Sequence, residues 1–211
     1  MTIDNLDFFR VELKNGLKTL PGQEAHELMM PSIRRSMPMD LSNITNAKLS
    51  SVLLMLYTRN GQLMLPLTKR HDYKGTHGGQ ISLPGGKHEG QESRVDTALR
   101  EAEEEVGVLR SQIEVIGTMT ELYIPPSNFK VLPVIGVLEN EPEFIREEYE
   151  VEQILEVTLD EVLDKTNHKV KDISARTLTL KDTPYIDIQG HVVWGATAMI
   201  LSELAELVRR I

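Results

Sequence analysis

The sequence contains no cysteine. That excludes disulfides, thiolate metal sites and cysteine nucleophiles together, and it fits a reducing cytoplasm. Long apolar runs are also missing. The longest is Val52–Tyr57, far short of the roughly 20 residues a bilayer-spanning helix needs. Asp4 and Asp7 precede any long apolar stretch, so the start does not read as a secretory signal. Basic residues are outnumbered, 23 Lys and Arg against 32 Asp and Glu for a net charge of −9. A general phosphate-backbone binder needs the opposite balance. Repeats and low-complexity segments are absent. The expectation is a cytoplasmic protein with neither nucleic acid nor membrane as partner.

What is present suits a folded domain. The chain has 211 residues, of which 40 % are apolar and 26 % charged, enough for one domain with additions or two very small ones. Leu6, Phe9 and Leu13 recur at helical spacing and predict a helix near residues 5–15. Pro21 opens a second over Gly22–Met30, stopped by Pro31. Residues 1–45 read as an N-terminal helical extension and residues 46–211 as the main domain. The extension either covers an edge of the fold or makes a homodimer contact. Leu49–Tyr57 and Leu63–Thr68 read as strands around the hairpin signal Asn60-Gly61. A Gly-rich stretch runs from Gly75 to Gly90, followed by a helix from about Ser93 to Glu105 that stops at Gly107. Glu114–Leu122 and Lys130–Leu138 read as strands, with Asn128 after Pro125-Pro126-Ser127 as turn chemistry. A short helix is expected over 158–165, and strands over Arg176–Leu180, Tyr185–Ile188 and His191–Trp194. The last helix, from about Ala196 to Arg210, places Ala198, Leu201, Ala205 and Val208 on one face and reads as amphipathic. Strands interleaved with few helices predict an α/β fold with a mixed sheet.

Chemistry concentrates in residues 85–108. At about 100° per residue, Glu101, Glu104 and Glu105 share an arc of roughly 100° on the predicted helix, and Glu103 falls on the other side. Val95, Leu99, Ala102 and Val106 form an apolar stripe beside that arc. A run of glutamates alone is usually a solvated face. Three converging carboxylates repel one another unless cations join them, and oxygen-only donors favour Mg²⁺ or Mn²⁺. The Gly-rich turn ahead of the helix lets backbone approach a phosphate or offer a carbonyl to a metal. His71, His77, His88 and His191 match no zinc spacing. Trp194, the sole tryptophan, reads as a core anchor at the head of the last helix rather than a base-stacking platform.

Gly86, Glu92, Arg100, Glu101, Ala102, Glu104, Glu105, Gly107 and Val108 fill every specified position of the Nudix box, which the sequence therefore resembles. The resemblance implies a Nudix-type α/β/α sandwich and hydrolysis of a nucleoside diphosphate linked to another moiety. It implies Glu101, Glu104 and Glu105 as metal ligands, with a carbonyl from the Gly86 region. Arg100 would orient these carboxylates and Glu92 would support them. The general base is Glu150 downstream or Glu104 within the helix.

The flanks resemble the coenzyme A pyrophosphatase branch. The stretches are Leu67-Thr68-Lys69-Arg70, His77 to Gly86, Phe129 to Gly136, Glu150-Val151 and Val193 to Ala198. Pro66, His71, Gly75 and Leu83 depart from that branch, and Gly75 replaces an arginine that could fork onto a phosphate. The substrate implied is coenzyme A or an acyl derivative, with another nucleoside diphosphate derivative, or a non-catalytic ligand-binding role, as alternatives. Lys69, Arg70 and Lys74 are the candidate phosphate contacts, and Gln80 and Gly85 further substrate contacts. The acidic excess is local. Residues 87–107 hold seven acidic and three basic residues and residues 139–164 eleven and one, together −14, so the rest of the chain is net +5. The first segment is the candidate metal site, and the second contains Glu150 and otherwise reads as solvated surface.

Overall fold

Asn60 and Gly61 both adopt left-handed backbone, with φ 52° and 77°. This is the geometry a two-residue hairpin requires. The turn joins β1 (Lys48–Arg59) to β2 (Gln62–Arg70) in a computed structural model that describes residues 6–35, 44, 46–71, 79–175 and 178–211. Strand β1 is the centre of the molecule. Its first nine residues pair in parallel with β7 (Phe129–Leu138), while Tyr57–Arg59 pair antiparallel with β2. Its other edge accepts β4 (Gly85–Lys87) opposite Ser50–Val52. Strands β3 (Ile81–Ser82) and β8 (Val151–Thr158) pair with β2, and β5 (Ile113–Thr118) and β6 (Leu122–Ile124) with β7. The eight strands form one sheet, made mixed by the parallel β1–β7 pair.

The apolar run of β1 is buried on both faces, which explains why it does not alternate with polar residues. Leu53, Met55 and Tyr57 pack with Ala98, Leu99, Ala102 and Val106 of α4 (Arg94–Val106). Leu54 and Leu56 join the opposite core, built on α6 (Gly195–Val208). Helices α1 (Leu6–Gly16) and α2 (Gly22–Leu28) cover α6, followed by the short α3 (Ser32–Arg35). Helix α5 (Leu159–Leu163) packs on β2 and β8. Three antiparallel strands, β9 (His168–Ala175), β10 (Leu178–Ile188) and β11 (His191–Trp194), make a second sheet whose Ile186, Ile188 and Val193 enter the α6 core. The result is the expected α/β/α layering. Among the described residues, no helix is long and apolar enough to cross a membrane.

Six expectations change. The strand expected over Glu114–Leu122 is divided between β5 and β6. The strands expected over Arg176–Leu180 and Tyr185–Ile188 are one strand, β10, and Arg176 lies outside the described residues. The Gly-rich stretch contains two short strands, β3 and β4, rather than turn alone. The second acidic segment is not solvated surface throughout, because Val151, Leu155 and Val157 alternate inward as β8 and direct Glu152 and Glu156 outward. Helix α6 is buried nearly all round, Ser202 and Glu203 included, because α1 and α2 cover its second face. Trp194 is only half-buried and lines a cleft instead of anchoring the core.

Residues of the N-terminal helices share the main core. Phe9 and Leu13 are buried in it, each contributing about 1.5–3 kcal/mol by removal from water. His26 Nε2 lies 2.9 Å from Glu203 Oε2, while the Gly22 N–H and the Thr120 hydroxyl donate to Glu203 Oε1. The Ser202 hydroxyl donates to the Ala25 carbonyl at 2.8 Å.

Candidate active site

Helix α4 is defined at both ends by local chemistry. Ser93 caps it, accepting from the Asp96 N–H while the Asp96 carboxylate accepts from the Ser93 N–H. Gly107 stops it in left-handed backbone at φ 75°. Arg94 fastens the first turn to the sheet through Ser50, Ser51 and Lys130, and to Glu121 at 2.9 Å. With Ala102 and Val106 seated on the sheet, Glu101 and Glu105 come to lie along β4.

Glu105 is the most enclosed of these carboxylates, its side chain only 5% exposed. Its Oε2 accepts from the Gly85 N–H at 3.0 Å, and its Oε1 accepts from Arg70 Nη2 at 3.1 Å. Burial pushes its pKa up to about 7. The Gly85 amide and Arg70 oppose that rise, while Glu101 and Glu150 add to it. Glu101 is raised as well, by burial first, with Arg100 opposing. A methyl group at Gly86 would sit 2.2 Å from Glu101 Oε2, so glycine there admits the carboxylate against the strand backbone. Gly85 is more constrained. At φ 151° an added Cβ would meet the Ser51 carbonyl oxygen at 2.4 Å and Val52 Cα at 2.6 Å.

Arg100 organises the outer part. Its Nε and Nη2 reach the two Glu92 oxygens, each at 3.0 Å, and Nη2 also donates to the Lys87 carbonyl at 3.1 Å. Its Nη1 meets Glu101 at 3.0 Å and Glu104 at 3.1 Å. Arg100 holds Glu92 down at a pKa of about 2, helped by the Glu89 N–H and the Thr97 hydroxyl. Glu92 is therefore a fixed anion that positions Arg100. Glu104 is largely exposed.

Glu150 arrives from the far side. The Ile145 N–H donates to the Val106 carbonyl and the Glu147 N–H to the Glu105 carbonyl, both at 3.0 Å, tying the acidic segment to the end of α4. Glu147 Oε2 then accepts from the N–H groups of Tyr149 and Glu150, and Glu150 Oε2 stands 3.7 Å from Arg70 Nη1.

The sequence candidates thus separate. Gly85, Gly86, Glu101, Glu105, Arg70 and Glu150 converge, with Glu92, Arg100 and Glu104 adjoining. Arg70 and Gly85, expected at the substrate, are also the groups that hold Glu105. Lys69, the neighbour of Arg70 on β2, points to the opposite face and pairs with Glu152 at 2.6 Å. Gln80 lines the cleft beside Trp194. Lys74 and Gly75 lie outside the described residues. The grip of Arg70 on Glu105 has no local sequence signal, since the two meet across 35 positions.

Among the described residues no three acidic or histidine side chains stand ready as a metal cage. Glu104 is turned to Arg100, and Glu105 to Arg70 and Gly85. The donor chemistry nevertheless fits a hard divalent cation: oxygen donors only, two carboxylates whose ionised forms are disfavoured by burial, and a glycine cradle at position 86.

A model of the NUDIX domain matches residues 47–178. The uncharacterized Nudix hydrolase NudL of Yersinia enterocolitica is 34% identical over 165 residues, covering 77% of this chain and 83% of its own. NudL of Yersinia pestis is 32% identical over 161 residues, 75% of this chain and 79% of its own. Among solved structures, a Nudix hydrolase from M. smegmatis, RenU, superposes with a TM-score of 0.55 at 19% identity, covering 78% of this chain and 88% of that one. That likeness is one of fold.

Proposed function

The chain belongs to the Nudix hydrolase family, enzymes that cleave a pyrophosphate bond in nucleoside diphosphate derivatives with a divalent metal ion, and from that premise we propose that it hydrolyses coenzyme A or an acyl-CoA to 3′,5′-ADP and the 4′-phosphopantetheine. The observation that carries the hydrolase reading is the pair Glu101 and Glu105, held side by side against the Gly85-Gly86 backbone. The coenzyme A reading rests on the flanking stretches Leu67–Arg70, Phe129–Gly136 and Val193–Ala198.

In this reading Glu101, Glu104 and Glu105 would hold Mg²⁺ or Mn²⁺, with a carbonyl from the Gly86 region as a further donor. A bound divalent ion supplies charge neutralisation on the phosphates and a more acidic water. Arg100, anchored by Glu92, keeps the helix carboxylates aligned. Arg70 stands between Glu105 and Glu150 and offers its guanidinium to a phosphate oxygen. Water forms the new P–O bond, the bridging P–O bond breaks, and the water's proton passes to a carboxylate. Glu150 takes that role, because Glu104 already serves among the metal ligands in this reading and is held by Arg100 at 3.1 Å. Positioning and charge stabilisation supply most of the catalysis in phosphoryl transfer, so loss of a metal ligand should cost more than loss of the base.

Incubation with coenzyme A and Mg²⁺ should release 3′,5′-ADP, identified by mass, and Glu105→Gln should slow this by about 100-fold or more. Cleavage of ADP-ribose or a dinucleotide with coenzyme A left intact would overturn the coenzyme A reading and leave the hydrolase standing. Pro66, His71, Gly75 and Leu83 motivate that second substrate class. A homodimer through residues 1–45 is a separate proposal, checked by light scattering.

A further inference from the structure

Trp194 has no place in the machinery above. It ends β11, forms the N-cap of α6 and lines an open cleft of about 450 Å³. Gln80 and Ile81, Lys171 and Ser174 of β9, and His191 line it as well. The size lies within the range of small-molecule sites, roughly 300–1,000 Å³.

Two features of the lining select a ligand class. Trp194 is an indole, a side chain that can stack a ring. Lys171 carries its ammonium 5.7 Å from the Tyr185 ring centroid, with His191 nearby, and both can meet an anion. The carboxylate in the wall, Asp172, is already taken by Lys181 and the Asp182 N–H.

The cleft adjoins the carboxylates. The Arg70 N–H donates to the Gln80 carbonyl at 3.1 Å, while the same residue's guanidinium holds Glu105. The Thr197 hydroxyl joins α6 to Ile81 at 3.3 Å. Lys69 is held by Glu152 at 2.6 Å, and His191 favours the ionised form of that carboxylate.

We infer that this cleft is the subsite for the nucleotide half of the substrate, with the purine on Trp194 and its phosphate against Lys171 and His191. The inference rests on the reading of the protein as a nucleoside diphosphate hydrolase, and it holds for any such substrate carrying a purine.

Trp194 is the sole tryptophan of the 211 residues, so its fluorescence reports on the cleft directly. The full-length, metal-free protein is titrated with 5′-AMP and, separately, with 4′-phosphopantetheine. The expected result is saturable quenching by 5′-AMP and none by 4′-phosphopantetheine. Lys171→Ala and His191→Ala should each weaken 5′-AMP binding by about tenfold, and should raise KM for the hydrolysed substrate much more than they lower kcat. No quenching by 5′-AMP, quenching by 4′-phosphopantetheine alone, or quenching that both variants leave unchanged would overturn the subsite. Hydrolysis without quenching removes the subsite and keeps the enzyme. Quenching by 5′-AMP with no hydrolysis under any divalent metal removes the enzyme and keeps a nucleotide site.

Discussion

Glu105 holds two opposed requirements. Burial disfavours its charge, yet ligation of a cation needs it ionised. Its pKa of about 7 in the fold stands above the ordinary 4.5, so between those values the folded chain binds more protons than the unfolded one. Stability of the metal-free protein must then fall as pH rises through that window, by up to about 3 kcal/mol. The expected outcome is a Tm that drops from pH 5 to pH 8 in the wild type but far less in Glu105→Gln. Mg²⁺ should restore the wild type at pH 8 and leave the variant unmoved. The neighbouring glycines divide the same way between fold and function. At Gly85 an added Cβ strikes backbone, so Gly85→Ala should cost about 3 kcal/mol or more, a Tm loss of roughly 6–12 °C. At Gly86 it strikes only the mobile end of Glu101. Gly86→Ala should therefore melt within a few degrees of the wild type while losing most activity, which paired melting curves and product assays will separate. These residues were legible in the sequence because the helix period places the glutamates on one arc. Arg70 as the partner of Glu105 was not, because nothing local links strand β2 to the end of α4.

Elements were legible where local chemistry decides them. The Asn60-Gly61 hairpin and the Ser93 and Gly107 caps of α4 are set by backbone conformation within a few residues. Strands β8 and β9 were not, because acidic and basic side chains on their outer faces mask a short alternation that only β2 and β10 complete. Helix α6 misled for the opposite reason. It reads as amphipathic, but α2 covers its second face and buries Ser202 and Glu203. Burial pushes the pKa of Glu203 up, and His26, Thr120 and the Gly22 N–H pull it further down, leaving it below the ordinary carboxylate value. Here the unfolded chain binds more protons than the fold. The stabilisation is present above the ordinary value and is lost as pH falls through the folded one. Glu203→Gln should cost about 3 kcal/mol at pH 7. In urea melts the gap to the wild type should narrow steadily below pH 4.5. A constant gap across that range would show that the carboxylate's charge is not what joins α2 to α6.

At the scale of the whole molecule the charge and the layers explain each other. The net −9 is the sum of two acidic segments and a mildly basic remainder, and the folded chain brings the two segments together where the Glu147 N–H meets the Glu105 carbonyl. The site is thus built on the α4 side of the sheet, and the N-terminal helices lie on the α6 side, away from the chemistry. Their contribution is to the core. Without residues 1–35, the contact of Gly16 with Leu207 disappears, and so do the buried Phe9, Leu13 and Met29. Glu203 would lose His26 and the Gly22 amide, leaving a buried carboxylate with Thr120 as its remaining donor of the three. Three large side chains at about 1.5–3 kcal/mol each, together with a buried carboxylate stripped of two of its three partners, amount to most of a typical domain's net stability of 5–15 kcal/mol. The segment 36–211 alone should therefore melt without cooperativity or aggregate. It should recover a sharp transition when a peptide spanning residues 1–35 is added, as followed by calorimetry. A truncated chain with an unchanged, cooperative Tm would show instead that the extension is dispensable to the core, and would return it to the role of a contact between copies of the chain.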